Sequence, residues 1–476
     1  MRFLHSFSLR LFSDGLVVAA ALGNQTLISR VLGPKGKGHY ALLSTTVRLL
    51  VVVFGEALAR SNPYFVGRDP KKLAPLSTNA LCYGMAVVFF LSGIFLGGAR
   101  FSLWPDAGGP SVLWLLAFWV AALTVLYRGL HSLFLGLERM GPYNVLPVVF
   151  ALAYLIGNGI ALKGLDKGLA GVMASWLFAG ILTFLLTFWL LRRVSDTKFQ
   201  RNQHTAEEEQ ESGRLPMAGD GGGNPQSAIR NPQSECLAAE FLWSPDRRLF
   251  FRSMRFGLKA MLISLLLVLL FRADVYLVRY FLGAAATGIY SNAIVFAEML
   301  QKIPNVAGTV LFSKIVAQGG EERDRLTARV SRSIFVLTLV AAGGLALVGN
   351  RLIPLVFGVE FEGAYVPLLY MLPGVVAMAS GSVINTNLWV QGYPPQAVIA
   401  PSAAVCTNVV LNILLIPRFG LIGAGIATSV AYTLWAGLLF AYFSKKTSIA
   451  FRELVMVRIS DFGSFGFAQD KFRISD

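Results

Sequence analysis

The sequence predicts an all-α polytopic membrane protein of about twelve transmembrane helices, arranged as two parallel six-helix lobes around a central cavity. Three observations carry that expectation. Of 476 residues, 55% are hydrophobic and 14% charged, whereas soluble globular chains hold roughly 25% charged residues. Apolar runs near the ~20 residues that a bilayer demands recur along the chain. Motifs of the first half return in the second at nearly constant offsets. This composition excludes an ordinary soluble enzyme, and equally a disordered or fibrous chain.

The apolar runs fall at 12–32, 39–60, 76–97, 111–135, 143–162, 169–191, 255–279, 287–312, 333–350, 365–389, 396–416 and 421–443. Asn24, Gln25, Thr26 and Ser29 interrupt the first. It reads as a retained helix lining a polar interior, because no small-residue cleavage site precedes Asn24. In the second, Ser44, Arg48 and Glu56 share a sector of about 120° at helical spacing. The third contains a GxxxG pair, Gly93 and Gly97, a weak signal in a chain with 47 glycines. The fourth groups Thr124, Arg128, His131 and Ser132. Arg272 and Asp274 in the seventh lie two apart and so point different ways. In the eighth, Ser291, Glu298, Lys302 and Asn305 fall within about 60° of one another. Pro147, Pro304, Pro373 and Pro401 lie inside runs, where they kink helices.

A formal charge of +16 would suggest nucleic acid if the cations formed a patch on a soluble domain. They sit instead in the amino terminus, in every second gap and in the carboxyl terminus, which predicts a multi-pass cell-membrane protein with both termini cytoplasmic. Cys82, Cys236 and Cys406 are too few and scattered for a disulfide framework or metal site.

Residues 193–250 break the membrane pattern with an acidic cluster (Glu207, Glu208, Glu209, Glu211), the run 221–223 of glycine, and Asn-Pro-Gln-Ser at both 224–227 and 231–234. They read as a flexible cytoplasmic linker between an amino-terminal lobe (1–192) and a carboxy-terminal lobe (251–445). Residues 446–476, with Arg-Ile-Ser-Asp twice, read as a low-complexity cytoplasmic tail.

The lobes share a pattern. Leu32, Gly33, Gly38 and Tyr40 return as Leu282, Gly283, Gly288 and Tyr290. Pro147, Asn158, Ala170, Gly171 and Ser175 return as Pro401, Asn412, Ala424, Gly425 and Ser429. Duplication of a six-helix unit explains both sets, and an even helix count makes the copies parallel. Parallel lobes about a cleft are an alternating-access architecture.

Ionisable groups inside spans are expensive and mark cavities or pairs. Arg48 and Arg128 have no acid one turn away on their own helices, and guanidinium groups suit a phosphate-bearing substrate. Arg48, Arg128 and Arg272 are therefore the candidate substrate-binding residues. Glu56, Asp274, Glu298 and Lys302 are candidates for charge pairing or ion coupling. Lys302, one turn from Glu298, is placed to neutralise it. His131, the single histidine inside a span, reads as a packing or cavity residue. No catalytic residue, metal ligand or cofactor is expected.

The stretch from Leu282-Gly283 to Lys314 holds Gly288-Ile-Tyr290-Ser291, Ala297-Glu298, Lys302-Ile-Pro304 and Val310-Leu311-Phe312. With Arg272-Ala-Asp274-Val275, Leu32-Gly33-Pro34, Gly38-His39-Tyr40 and the Asn408–Thr428 region, it resembles polysaccharide and O-antigen flippases of the multidrug/oligosaccharidyl-lipid/polysaccharide exporter superfamily. The resemblance covers 10–192 and 250–445. It implies a transporter, not an enzyme, that moves polyprenyl-diphosphate-linked oligosaccharide to the outer leaflet by rocking about a cationic cavity. It also implies membrane lipids and other polysaccharide-assembly membrane proteins as partners, and no nucleic acid. Lipid II flippases, a sister group, share Phe54-Gly55-Glu56 but carry an arginine pair where Val51-Val52-Val53 stands here. A cation-coupled drug exporter of the same superfamily, and a membrane glycosyltransferase or glycan ligase, remain as alternatives.

Overall fold

The computed structural model describes residues 2–100, 112–212, 244–305, 307–308, 311, 320–391, 394–447 and 449. Nine long helices occur among them: α1 (Arg2–Arg68), α2 (Leu73–Arg100), α3 (Val112–Gly136), α4 (Met140–Gly159), α5 (Gly168–Ser212), α6 (Arg247–Leu300), α7 (Gly320–Phe357), α8 (Tyr365–Val390) and α9 (Gln396–Thr447). All nine are apolar and long enough to cross a membrane, and the described residues contain no strand.

Nine helices hold twelve spans because three are double. The apolar part of α1 runs for 57 residues, which at 1.5 Å each would reach about 85 Å against a hydrocarbon core of ~30 Å. Gly33 resolves the mismatch with φ 64°, a left-handed conformation that glycine adopts without a Cβ penalty. Gly283 (φ 81°) does the same in α6 and Gly420 (φ 58°) in α9. The chain folds back at α1: Lys37 Nζ donates to Gln25, twelve residues earlier, a separation of about 18 Å in a straight helix. The breaks fall in the gaps that the hydropathy pattern leaves between spans one and two, seven and eight, and eleven and twelve. The paired motif Leu32-Gly33 and Leu282-Gly283 is thus a duplicated fold-back.

The structure comprises two compact units. The first takes residues 1–24 and 46–261. Its core packs Phe65, Leu76, Leu130, Phe134 and Leu191 with Leu249 from the start of α6. Asp246 caps that helix by accepting from Leu249 N (2.9 Å), while Asn79 pairs with the Asp246 backbone. A Cβ on Gly257 would lie 2.0 Å from the Ala57 carbonyl oxygen, so the helices touch backbone to backbone. Between α1 and α2, hydrogen bonds from Lys72 and from Lys71 N hold the Asp69 carboxyl below its ordinary range.

The second unit takes 25–45 and 262–476. Glycines Gly374 and Gly381 set α8 against α9, close to Ser429 and Ala436. Ser331 and Ser380 join α7 to α8 (2.9 Å), and Asn387 donates to Asp324 and Thr327. Repeat-related segments also meet within this unit. A Cβ on Gly38 would stand 1.8 Å from the Ala284 carbonyl oxygen, and one on Gly288 1.9 Å from that of Pro34. Residues 34 and 284 are themselves equivalent at the repeat offset, so the contact is reciprocal.

Polarity runs outward to apolar. Leu347 is 83% and Phe89 72% exposed, while Asn412 and Asn158 are fully buried and donate to Asn408 and Asn24. Lipid solvates the first kind, and the second must find partners inside. α5 continues through Ser212, into the stretch expected as linker; residues 213–243, Cys236 among them, and the tail from 450 lie outside the described residues.

Candidate functional site

Each unit carries a charged centre, and the two are built with opposite polarity. In the first unit Glu56 is buried at 3% exposure on the second half of α1. Its carboxylate accepts from Arg60 one turn on (2.7 Å) and from Arg128 on α3 (2.8 Å). The two arginine side chains are 47% and 37% exposed, so the acid is hidden while both basic side chains reach the surface. Two guanidinium groups thus share one carboxylate. Arg48 stands exposed two turns earlier on α1.

The remaining polar residues of the α3 stripe turn inward. Thr124 and Ser132 hydrogen-bond the carbonyls of Val120 and Gly129 on their own helix. His131 binds the Tyr143 carbonyl (3.0 Å) and stacks on the Tyr143 ring at 4.7 Å, a packing role. Only Arg128 of that group presents its charge. It does so through an acid on another helix, which an inspection of α3 alone does not reveal.

In the second unit the order reverses. Arg272 is 11% exposed and pairs across the Gly283 fold-back with Glu298, which is 38% exposed. Here the carboxylate is presented and the guanidinium stands behind it. Lys302, expected to neutralise Glu298, is exposed on the next turn. The acid's ion-pair partner in the structure is Arg272. Asp274 points elsewhere, as its spacing requires: 1% exposed, it accepts from Tyr290 (2.6 Å), Thr428 (3.2 Å) and Val275 N (2.8 Å). It thereby ties the two arms of α6 to the second arm of α9.

Sequence reasoning missed three members of these centres, Arg60, Tyr290 and Thr428, and, outside them, Lys37. Arg60 was the last residue of its run and seemed a boundary. Tyr290 and Thr428 appeared as family motif residues without a role. Lys37 lay in the apparent gap between spans, yet it is 1% exposed. The repeat held the signal: aligning Gly33 with Gly283 puts the turn at the glycine and Lys37 inside a helix. Among the described residues, no group of three or more His, Cys, Asp or Glu could hold a metal ion.

Comparison with known proteins agrees with this architecture. The family described as "Polysaccharide biosynthesis protein" matches residues 237–388. A probable low-salt glycan biosynthesis flippase, Agl15, of Haloferax volcanii is 25% identical over 183 residues, spanning 38% of this chain and 39% of that protein. Among solved structures, an inward-facing multidrug resistance MATE transporter of the MOP superfamily has a TM-score of 0.66 at 13% identity, covering 93% of this chain and 98% of its own. The lipid II flippase MurJ, inward closed, also scores 0.66, at 14% identity over 98% and 94%. A MOP superfamily transporter from Pyrococcus furiosus scores 0.59 at 12% identity over 94% and 95%. At these identities the structures speak for the fold. The family match covers about a third of the chain, and the chain spans well under half the length of the curated relative.

Proposed function

We propose that the protein is a flippase for a lipid-linked oligosaccharide whose diphosphate is held by the arginines of the first unit. The observation that carries this reading is the centre at Glu56, where a buried carboxylate holds Arg60 and Arg128 together while their side chains stay 47% and 37% exposed. A guanidinium fork matches phosphate oxygens bidentately and stays charged at every physiological pH. Arg48, on the same helix arm, extends the cationic surface. Glu56 is a positioning residue; Arg48, Arg60 and Arg128 are the contacts. The exposed carboxylate of the second unit does not suit an anion, so Arg272 serves Glu298 rather than the substrate.

The test is movement of a fluorescent polyprenyl-diphosphate oligosaccharide across proteoliposomes that contain only this protein. Arg48→Ala and Arg128→Ala should each lower the rate about tenfold or more, the equivalent of a charge-assisted hydrogen bond of ~1.5–3 kcal/mol. Arg48→Ala should keep its melting temperature near wild type, and Arg128→Ala should lose only a few degrees because Arg60 still pairs with the buried Glu56. Wild-type rates in well-expressed variants would overturn the residue assignment. Movement of organic drug cations in place of the glycolipid would overturn the substrate class, and sugar transfer in place of movement would make the protein an enzyme.

A further inference from the structure

Lys37 contradicts the usual behaviour of lysine near a helix end. Such side chains reach outward to water and headgroups. Lys37 lies four residues past the Gly33 fold-back, where that escape is shortest, yet it points inward and donates to Gln25. It is 1% exposed, and its other neighbour is the Tyr40 ring, 5.5 Å away. No carboxylate among the described residues pairs with it. The charge on α6 that bears on it is Arg272, a like charge already engaged by Glu298. Elsewhere around this arm of α1, Arg279 approaches His39 (3.5 Å) and Glu360 lies beside Gly33, while Asp274 is occupied by Tyr290 and Thr428. An ammonium group removed from water and offered only a neutral amide is costly to keep. Either an anion joins it or a proton leaves. At 1% exposure, against Gln25 and Tyr40, the side chain is shut off from water in this conformation, and loss of a proton is the smallest change that removes the charge.

Resting on the transport reading above, we propose that Lys37 is a protonation site through which transport is coupled to the proton gradient. The amine gains its proton from water when this arm of α1 is exposed, and returns the proton to water before it is buried against Gln25. No bond other than N–H forms or breaks. Gln25 is the positioning residue, accepting from the nitrogen.

The experiment uses the full chain in proteoliposomes, with the membrane potential clamped and a pH gradient imposed. If one proton moves with each glycolipid, the wild-type leaflet ratio at steady state should change about tenfold per pH unit of gradient. Lys37→Met should still move substrate to equal leaflet populations but lose the gradient response. Lys37→Arg, permanently charged, should transport poorly at every pH. A wild-type ratio indifferent to the gradient, or a Lys37→Met protein that still follows it, would overturn the proposal. Should no glycolipid move under any condition, the transport reading falls, and Lys37 is judged separately by NMR of protein carrying 13C-labelled lysine. The Lys37 resonance, identified by its loss in Lys37→Arg, should shift through a titration; a resonance that stays fixed would refute protonation exchange.

Discussion

Glu56 shows how a single buried acid can organise cations that it does not conceal. Removing its charge leaves Arg60 and Arg128 facing each other across an amide. Breaking a buried ion pair costs ~3–5 kcal/mol. Both arginine side chains are more than a third exposed, and solvent relieves much of that cost. Glu56→Gln should therefore lower the melting temperature by only a few degrees while transport falls steeply, because the two forks are no longer held in register. A large melting shift with intact transport would make Glu56 a structural residue only. The mirror change, Glu298→Gln, exposes no new cation to solvent, because Arg272 lies behind it at 11% exposure. It should destabilise more than Glu56→Gln, since the guanidinium it strands is the more deeply buried one. The two melting curves, measured side by side, check the order.

At the scale of elements, glycine decides where helices turn and how closely they approach, and each role has its own signature on substitution. Gly283→Ala places a Cβ at φ 81°, which costs about 1–2 kcal/mol in an otherwise open position. Gly38→Ala and Gly288→Ala keep ordinary helical geometry but drive a methyl into a carbonyl oxygen. Overpacking of that kind costs typically ~1–3 kcal/mol, and here the obstacle is backbone, which yields less than a side chain. Gly93→Ala and Gly343→Ala meet nothing within 4 Å and should be neutral or slightly stabilising. Thermal unfolding of these five variants in detergent checks the ranking. Gly93 also shows what the sequence could not tell. Its GxxxG spacing is that of a helix-packing motif, yet Gly93 and Gly97 have open space, while Gly38, outside any GxxxG pair, makes the closest approach. Hydropathy locates spans because each must match the bilayer on its own. Which glycine carries a crossing depends on a partner hundreds of residues away, and here the repeat offset alone pointed to it. The same limit hid the Arg128–Glu56 pair, 72 positions apart, although both residues were recognisable as costly charges inside spans.

For the whole molecule, the three fold-backs make one prediction about sidedness. Gly33, Gly283 and Gly420 each join an odd-numbered span to the next even one, so an intact alternation puts all three on the same face of the membrane. The distribution of Lys and Arg assigns the amino terminus to the cytoplasm, which sends those turns to the outer face. Lys35, Ala285 and Phe419 flank the three turns and are exposed. In a background without Cys82, Cys236 and Cys406, a cysteine at any of them should react with a membrane-impermeant maleimide added to intact cells. A cysteine at exposed Glu138, in the turn between α3 and α4, should react only after the membrane is opened. Labelling split between faces among the first three positions would break the twelve-span count, since one double helix would then cross the bilayer a different number of times. Labelling of Glu138→Cys alone in intact cells would keep the count and invert the orientation. These outcomes separate because the glycine geometry fixes how often the chain turns, while the cations alone fix which way it starts.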